Sequence, residues 1–171
     1  SKWSENMIFF FKTIFSKVAF FFSIGFLILL PNVGFGQLMD DFSSGSLEEW
    51  EGDLAKFIIN TEQQLQLNDT DRESPAQLFR SFSMQGNTSW ELYINLDFAP
   101  SSSNFAKIIL QSDQADANNF QGYFLKIGGI SGSDDAVELF RQDGNNSELL
   151  ISGTLGGVGN APVEVRVQVV R

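Results

Sequence analysis

Residues 87–103 read NTSWELYINLDFAPSSS, and in them Trp90, Leu92, Ile94, Leu96 and Phe98 occupy every second position. Side chains along an extended strand alternate between its two faces, so the spacing predicts a strand over residues 90–98 with one apolar face. Glu91, Tyr93, Asn95 and Asp97 then stand together on the opposite, solvent-facing side.

The same period of two recurs along the chain. It predicts strands at residues 57–60, 64–68, 77–84, 105–111, 122–127, 136–142, 148–152 and 163–170, which with 90–98 makes nine. Between them lie stretches such as NDTDRESP at Asn68–Pro75, DQADANN at Asp113–Asn119 and GGISGSDD at Gly128–Asp135. Gly and Asn tolerate positive φ, and Asp and Ser bond back to their own backbone, so these stretches reverse the chain. No segment after Gln37 carries the 3.6-residue apolar period of a helix. The expected fold is all-β, with apolar-in, polar-out strands closing as a two-sheet sandwich.

The beginning of the chain has a different character. Nine of the 18 Phe residues precede Gln37, and Lys12 and Lys17 stand before the uncharged run Val18–Leu30. As a helix that run spans about 20 Å, short of the roughly 30 Å hydrocarbon core of a membrane. A positive start, an apolar middle and the small residues Gly34 and Gly36 have the form of a helical secretory signal peptide cleaved near Gly36/Gln37. The competing reading is an uncleaved anchor from Ile8 to Leu30, which would tie an exported body to the membrane. SKWSEN precedes Met7 and has no place in such a leader, which suggests translation starting at Met7. Residues 1–36 are thus read as N-terminal extension and signal peptide, and residues 37–171 as the β-sandwich domain.

After residue 36 the chain holds eight basic and twenty acidic residues, a formal charge of -12. Nucleic-acid binding rests on Lys and Arg displacing counterions from phosphates, so nucleic acid is excluded as a natural partner. The chain contains no Cys and no His. That removes disulfides, thiol nucleophiles, the Ser-His-Asp triad and the usual zinc ligand sets. Because the final alternating run reaches Val170 with only Arg171 after it, the chain is also expected to be the N-terminal piece of a longer protein.

WELYINLDFAPSSSNF at Trp90–Phe105, SDQAD at Ser112–Asp116, GYFLKIG at Gly122–Gly128 and DDAVELFRQDG at Asp134–Gly144 carry a family resemblance. Together with LMDDFSSGSLEEW at Leu38–Trp50, they resemble the N-terminal domain of secreted lamin-tail-domain-containing proteins of Bacteroidetes-type bacteria. The resemblance covers about residues 38–171. It implies a concanavalin A-like (laminin G-like) jelly roll, followed in such proteins by lamin-tail or other β-rich modules and often a sorting domain. It also implies a non-catalytic role in extracellular recognition or adhesion, with a glycan or a surface protein as partner. The alternatives are a polysaccharide-active glycoside hydrolase or lyase-like jelly roll and a structural spacer presenting the downstream modules.

Three candidate sites follow. If the strands at 90–98 and 105–111 are neighbours in one sheet, then Glu91, Tyr93, Asn95, Asp97, Lys107 and Gln111 share a polar and aromatic face suited to a sugar. The plainer reading of that face is a solvated sheet surface with a cross-strand pair between Asp97 and Lys107. Calcium takes six to eight oxygen ligands, and Asp69, Asp71, Asp113, Asp116, Asp134, Asp135 and Asp143 supply hard oxygens from loops. Asp113 and Asp116 are the chosen pair, although Asp is equally a turn residue. A polysaccharide-active glycosidase or lyase needs closely paired carboxylates. Glu49, Glu51 and Asp53 alternate only briefly, and Tyr93 and Asn95 separate Glu91 from Asp97.

Overall fold

The computed structural model describes residues 5–7, 39–70, 76–82 and 86–171. Among them are eleven strands: β1 (Glu5–Met7), β2 (Glu51–Gly52), β3 (Phe57–Ile59), β4 (Leu65–Leu67), β5 (Leu78–Phe82), β6 (Ser89–Leu96), β7 (Ala106–Ser112), β8 (Phe120–Ile127), β9 (Val137–Gly144), β10 (Asn146–Ser152) and β11 (Val163–Val170). A 3-10 turn at Leu54–Lys56 is the single helical element among the described residues. All nine expected strands form, and the described residues are all-β. The expected leader helix lies outside the described residues.

Seven strands make one antiparallel sheet in the order β10-β9-β8-β7-β1-β5-β2. β6 and β11 form a separate two-stranded ribbon, and β3 and β4 a hairpin. In the ribbon Trp90, Leu92, Ile94 and Leu96 lie directly opposite Val169, Val167, Val165 and Val163. Each such aromatic or β-branched cross-strand pair contributes about 0.2–1 kcal/mol relative to alanines. The burial of β6 alternates without a break from Ser89 to Leu96, as the quoted stretch demands.

The apolar face of the ribbon packs on the large sheet. Trp90, Leu92, Ile94, Leu96 and Val163 join Leu78, Ile108, Leu110, Leu125 and Ile127 in one core, which Leu65 of the hairpin also enters. Burying one such side chain contributes about 1.5–3 kcal/mol, enough in sum to hold the layers together without disulfides. A β-bulge between Ile109 and Gln111 of β7 displaces the ladder at Leu110. The Leu110 carbonyl accepts the buried Trp90 indole N–H at 3.0 Å. One hydrogen bond therefore ties the two layers at the point where sheet pairing is interrupted.

Residues 39–50 close one end of the core. The Trp50 indole donates to Asp40 Oδ2 at 2.8 Å, and Asp40 Oδ1 accepts the Phe42 N–H at 2.8 Å. Phe42 is fully buried, its ring 6.0 Å from that of Trp50. Trp50 is thus a core anchor, as its position near the start of the domain suggests.

At the far edge β10 is exposed along its whole length. Just before β9, two loops are locked together by Asp135, which is fully buried. Its Oδ1 accepts the Ile130 N–H at 2.9 Å, and its backbone carbonyl accepts the Val158 N–H at 3.1 Å. Oδ2 has no hydrogen-bond partner.

Trp90→Phe keeps an aromatic side chain, though a smaller one, and removes the donor to the Leu110 carbonyl. The expected cost is about 1–3 kcal/mol, read from urea unfolding of the variant against the parent chain. A loss close to zero would show that the interlayer bond carries no weight.

Candidate functional site

The outward face of the β6–β11 ribbon gathers the first three predicted residues. Glu91, Tyr93 and Asn95 lie opposite Gln168, Arg166 and Glu164. Gln168 Nε2 donates to Glu91 Oε1 at 3.1 Å. The Arg166 guanidinium lies 6.0 Å from the centre of the Tyr93 ring. Glu91, Asn95, Glu164, Arg166 and Gln168 are exposed, and Tyr93 is half-buried among them. The result is an open surface of carboxylates, amides, a guanidinium and one aromatic ring.

The Tyr93 phenol titrates above its usual range. Partial burial is the largest cause, followed by the charge of Glu164 and a hydrogen bond to it, with Arg166 pulling the other way and Glu62 adding to the rise. The phenol therefore stays protonated at neutral pH and donates to Glu164.

Asp97, Lys107 and Gln111 do not join this face. β6 pairs with β11, whereas β7 pairs with β8 and β1, so the strands expected to be neighbours lie in different sheets. The expected Asp97–Lys107 cross-strand pair consequently has no ladder to stand on. Asp97 is exposed just past the end of β6. Gln111 lies in β7, where Arg171 Nη1 donates to its Oε1 at 2.7 Å and the Arg171 guanidinium lies 5.9 Å from the Tyr123 ring.

Lys107 occupies the outer face of the large sheet. There Ile109, Phe120 and Phe124 form a second apolar cluster, joined by Phe140 and Ala117. Phe124 and Phe140 stack with centroids 4.9 Å apart. The Lys107 ammonium lies 4.3 Å from the Phe124 centroid and 5.2 Å from that of Phe120, and donates to the Ala117 carbonyl at 2.7 Å. The loop 113–119 folds over this cluster, held also by Gln142 Nε2 donating to the Asn118 carbonyl at 3.2 Å. Lys107 is therefore a fastening for the loop, half-buried beneath it.

The two aspartates chosen for calcium shape the same loop. Asp113 Oδ1 accepts the Gln121 N–H at 2.7 Å, while Asp116 Oδ1 accepts the N–H groups of Asn118 and Asn119 at 2.9 and 3.3 Å. Asp69 pairs with Lys56 at 2.9 Å, and Asp71 lies outside the described residues. No three Asp or Glu side chains gather to hold a metal ion among the described residues.

The brief acidic alternation is dispersed as well. Glu49 pairs with Arg80, Glu51 lies in the edge strand β2, and Asp53 Oδ2 accepts the Gln77 N–H at 2.9 Å. Glu164, Arg166 and Gln168 are the residues that sequence reasoning missed on the ribbon. Their signal was the same alternation, in VEVRVQVV at 163–170, but the register that sets them beside Tyr93 is a long-range pairing.

Comparison with protein-family models, with curated proteins and with solved structures returned no match.

Burial lowers the Lys107 pKa from its ordinary value, with the Asp116 charge opposing the shift. In the window between the folded value and the ordinary lysine value near 10.4, the unfolded chain binds more protons, so stability attributable to Lys107 rises with pH. Lys107→Met should remove that slope in unfolding free energies measured at pH 8–11. An unchanged slope would refute the assignment.

Proposed function

We propose that the chain is an exported, non-catalytic recognition or adhesion module built on a concanavalin A-like jelly roll. In this reading the leader is removed near Gly36/Gln37, and the outer face of the β6–β11 ribbon meets an extracellular glycan. The observation that carries it is the half-buried Tyr93 ring on an open polar surface, flanked by Glu91, Asn95, Glu164, Arg166 and Gln168. Carboxylates and amides accept and donate to sugar hydroxyls, and an aromatic ring covers the apolar face of a pyranose. The ring needs little further ordering, because Glu164 and Arg166 already flank it.

The strong acidity of residues 37–171 favours a neutral or cationic ligand over an anionic one. Calcium at Asp113 and Asp116 would act on this reading only indirectly, since both lie on the loop over the opposite sheet. Downstream modules of the kind the resemblance implies would use the domain as their surface-binding end.

Binding of the secreted chain to a glycan array, with and without calcium, tests the reading. A specific signal should fall about two- to tenfold in Tyr93→Ala, the range expected for one aromatic contact, with unfolding free energy little changed. Absence of any specific glycan signal would leave the spacer role in its place. Turnover of a polysaccharide, lost in Glu91→Gln, would overturn the non-catalytic reading.

A further inference from the structure

The inner face of the large sheet changes character from β8 to β10. Leu125 of β8, Leu139 of β9 and Ile151 of β10 stand in one cross-strand row, and they are buried, half-buried and 62% exposed in turn. The ribbon, which buries Leu125, therefore leaves the floor at β9 and β10 open beside it. Stacked sheets lie about 10 Å apart, so the ribbon stands over that floor as a step.

The next row along the same strands is polar. Gln111, Tyr123, Arg141 and Glu148 lie opposite one another across β7, β8, β9 and β10. Tyr123 shares the face of Leu125 and Ile127 by alternation, so the row lies on the ribbon side of the sheet. Arg171, which follows β11, reaches the row from the ribbon: its Nη1 donates to Gln111 Oε1 at 2.7 Å, and its guanidinium lies 5.9 Å from the Tyr123 ring. Arg141 approaches the same ring from β9, since opposed positions hold their Cβ atoms about 5 Å apart.

Two guanidiniums gathered at one ring repel each other. The carboxylate beside them offsets little of this, because Glu148 Oε2 is 4.0 Å from Arg141 Nε and both side chains are more than half exposed. Other cations of the domain are engaged: Lys56 pairs with Asp69, Arg80 with Glu49, and Lys107 and Lys126 donate to the carbonyls of Ala117 and Gly129. Arg141 and Arg171 thus bring positive charge and several N–H donors to one exposed place.

A planar carboxylate is the natural complement of such forks. Glu148 and the exposed Asp143, two residues along β9 from Arg141, repel a ligand with densely packed charges and accept from hydroxyls. Tyr123 adds an aromatic surface for an apolar ring face. The acidity of residues 37–171 acts at range, where salt at about 0.15 M screens it beyond roughly 8 Å, so the two guanidiniums decide at contact.

We propose that this ledge binds a uronate unit of a glycan in which uronates alternate with neutral sugars. Its carboxylate lies between Arg141 and Arg171, and its ring lies against Tyr123. The contact is separate from the ribbon face and stands whether or not Tyr93 meets a sugar.

Calorimetric titration of the full chain tests this. The probes are a hyaluronan tetrasaccharide, a rhamnogalacturonan tetrasaccharide, their neutral methyl esters, and the acidic peptide Gly-Glu-Gly-Glu-Gly-Glu. Expected is saturable binding of one or both acidic tetrasaccharides, weakened about tenfold in the ester. Arg141→Gln and Arg171→Gln should each lower affinity about tenfold with unfolding free energy unchanged, as both side chains are exposed. Arg141→Lys keeps the charge but not the fork, and should fall between parent and Arg141→Gln. Tyr93→Ala should bind as the parent does. No saturable binding of either tetrasaccharide, equal binding of the esters, or a loss on Tyr93→Ala without one on the arginine variants would each overturn the proposal. Tighter binding of the peptide than of the tetrasaccharides would overturn it too, and would assign the ledge to acidic polypeptide.

Discussion

The hydrogen bond from the Trp90 indole to the Leu110 carbonyl fixes how the two layers of this protein meet. It spans from the ribbon to the large sheet, and it uses the carbonyl of Leu110, the residue at which the β7–β8 register shifts. A buried carbonyl without a donor costs about as much as one good hydrogen bond contributes, so bulge and tryptophan support one another. Around that contact the alternating faces of β6 and β11 come down on Ile108, Leu110, Leu125 and Ile127, and everything outward on the ribbon takes its position from this seating.

Much of the fold is legible in the sequence because a period of two is a local property. Trp90, Leu92, Ile94 and Leu96 announce their inner face within eight residues, and Val163–Val169 do the same at the far end of the domain. Which strand lies beside which is a different kind of information. Residues 90–98 and 105–111 are separated by a short turn-rich loop, which invites pairing them as a hairpin. Instead β6 turns to β11, some seventy residues away, as the Glu91–Gln168 bond shows. A loop of small polar residues permits either outcome, and burial of the two apolar faces against each other decides it.

That single difference governs how much of the candidate site could be read. Glu91, Tyr93 and Asn95 share a face because they share a strand, so alternation suffices to group them. Lys107 and Gln111 required the wrong neighbour. Asp135 shows the opposite failure: in GGISGSDD it has the composition of a turn residue, yet it is buried, clasping Ile130 and Val158. Local composition identifies a reversal of the chain but not which of its carboxylates is drawn inward.

The loop 113–119 leaves the molecule with two unlike exteriors. Over the large sheet, Phe120, Phe124 and Phe140 are shut beneath the protein's own backbone, with Lys107 as the latch. Over the ribbon, Glu91, Asn95, Glu164, Arg166 and Gln168 stand exposed. Sequence drift in the first region is therefore constrained by the integrity of the body, whereas drift at positions 91, 93, 95, 164, 166 and 168 leaves the interior untouched. A lineage of such chains could change the chemistry of that face while keeping its architecture, because the open surface is not the one that holds the inside closed.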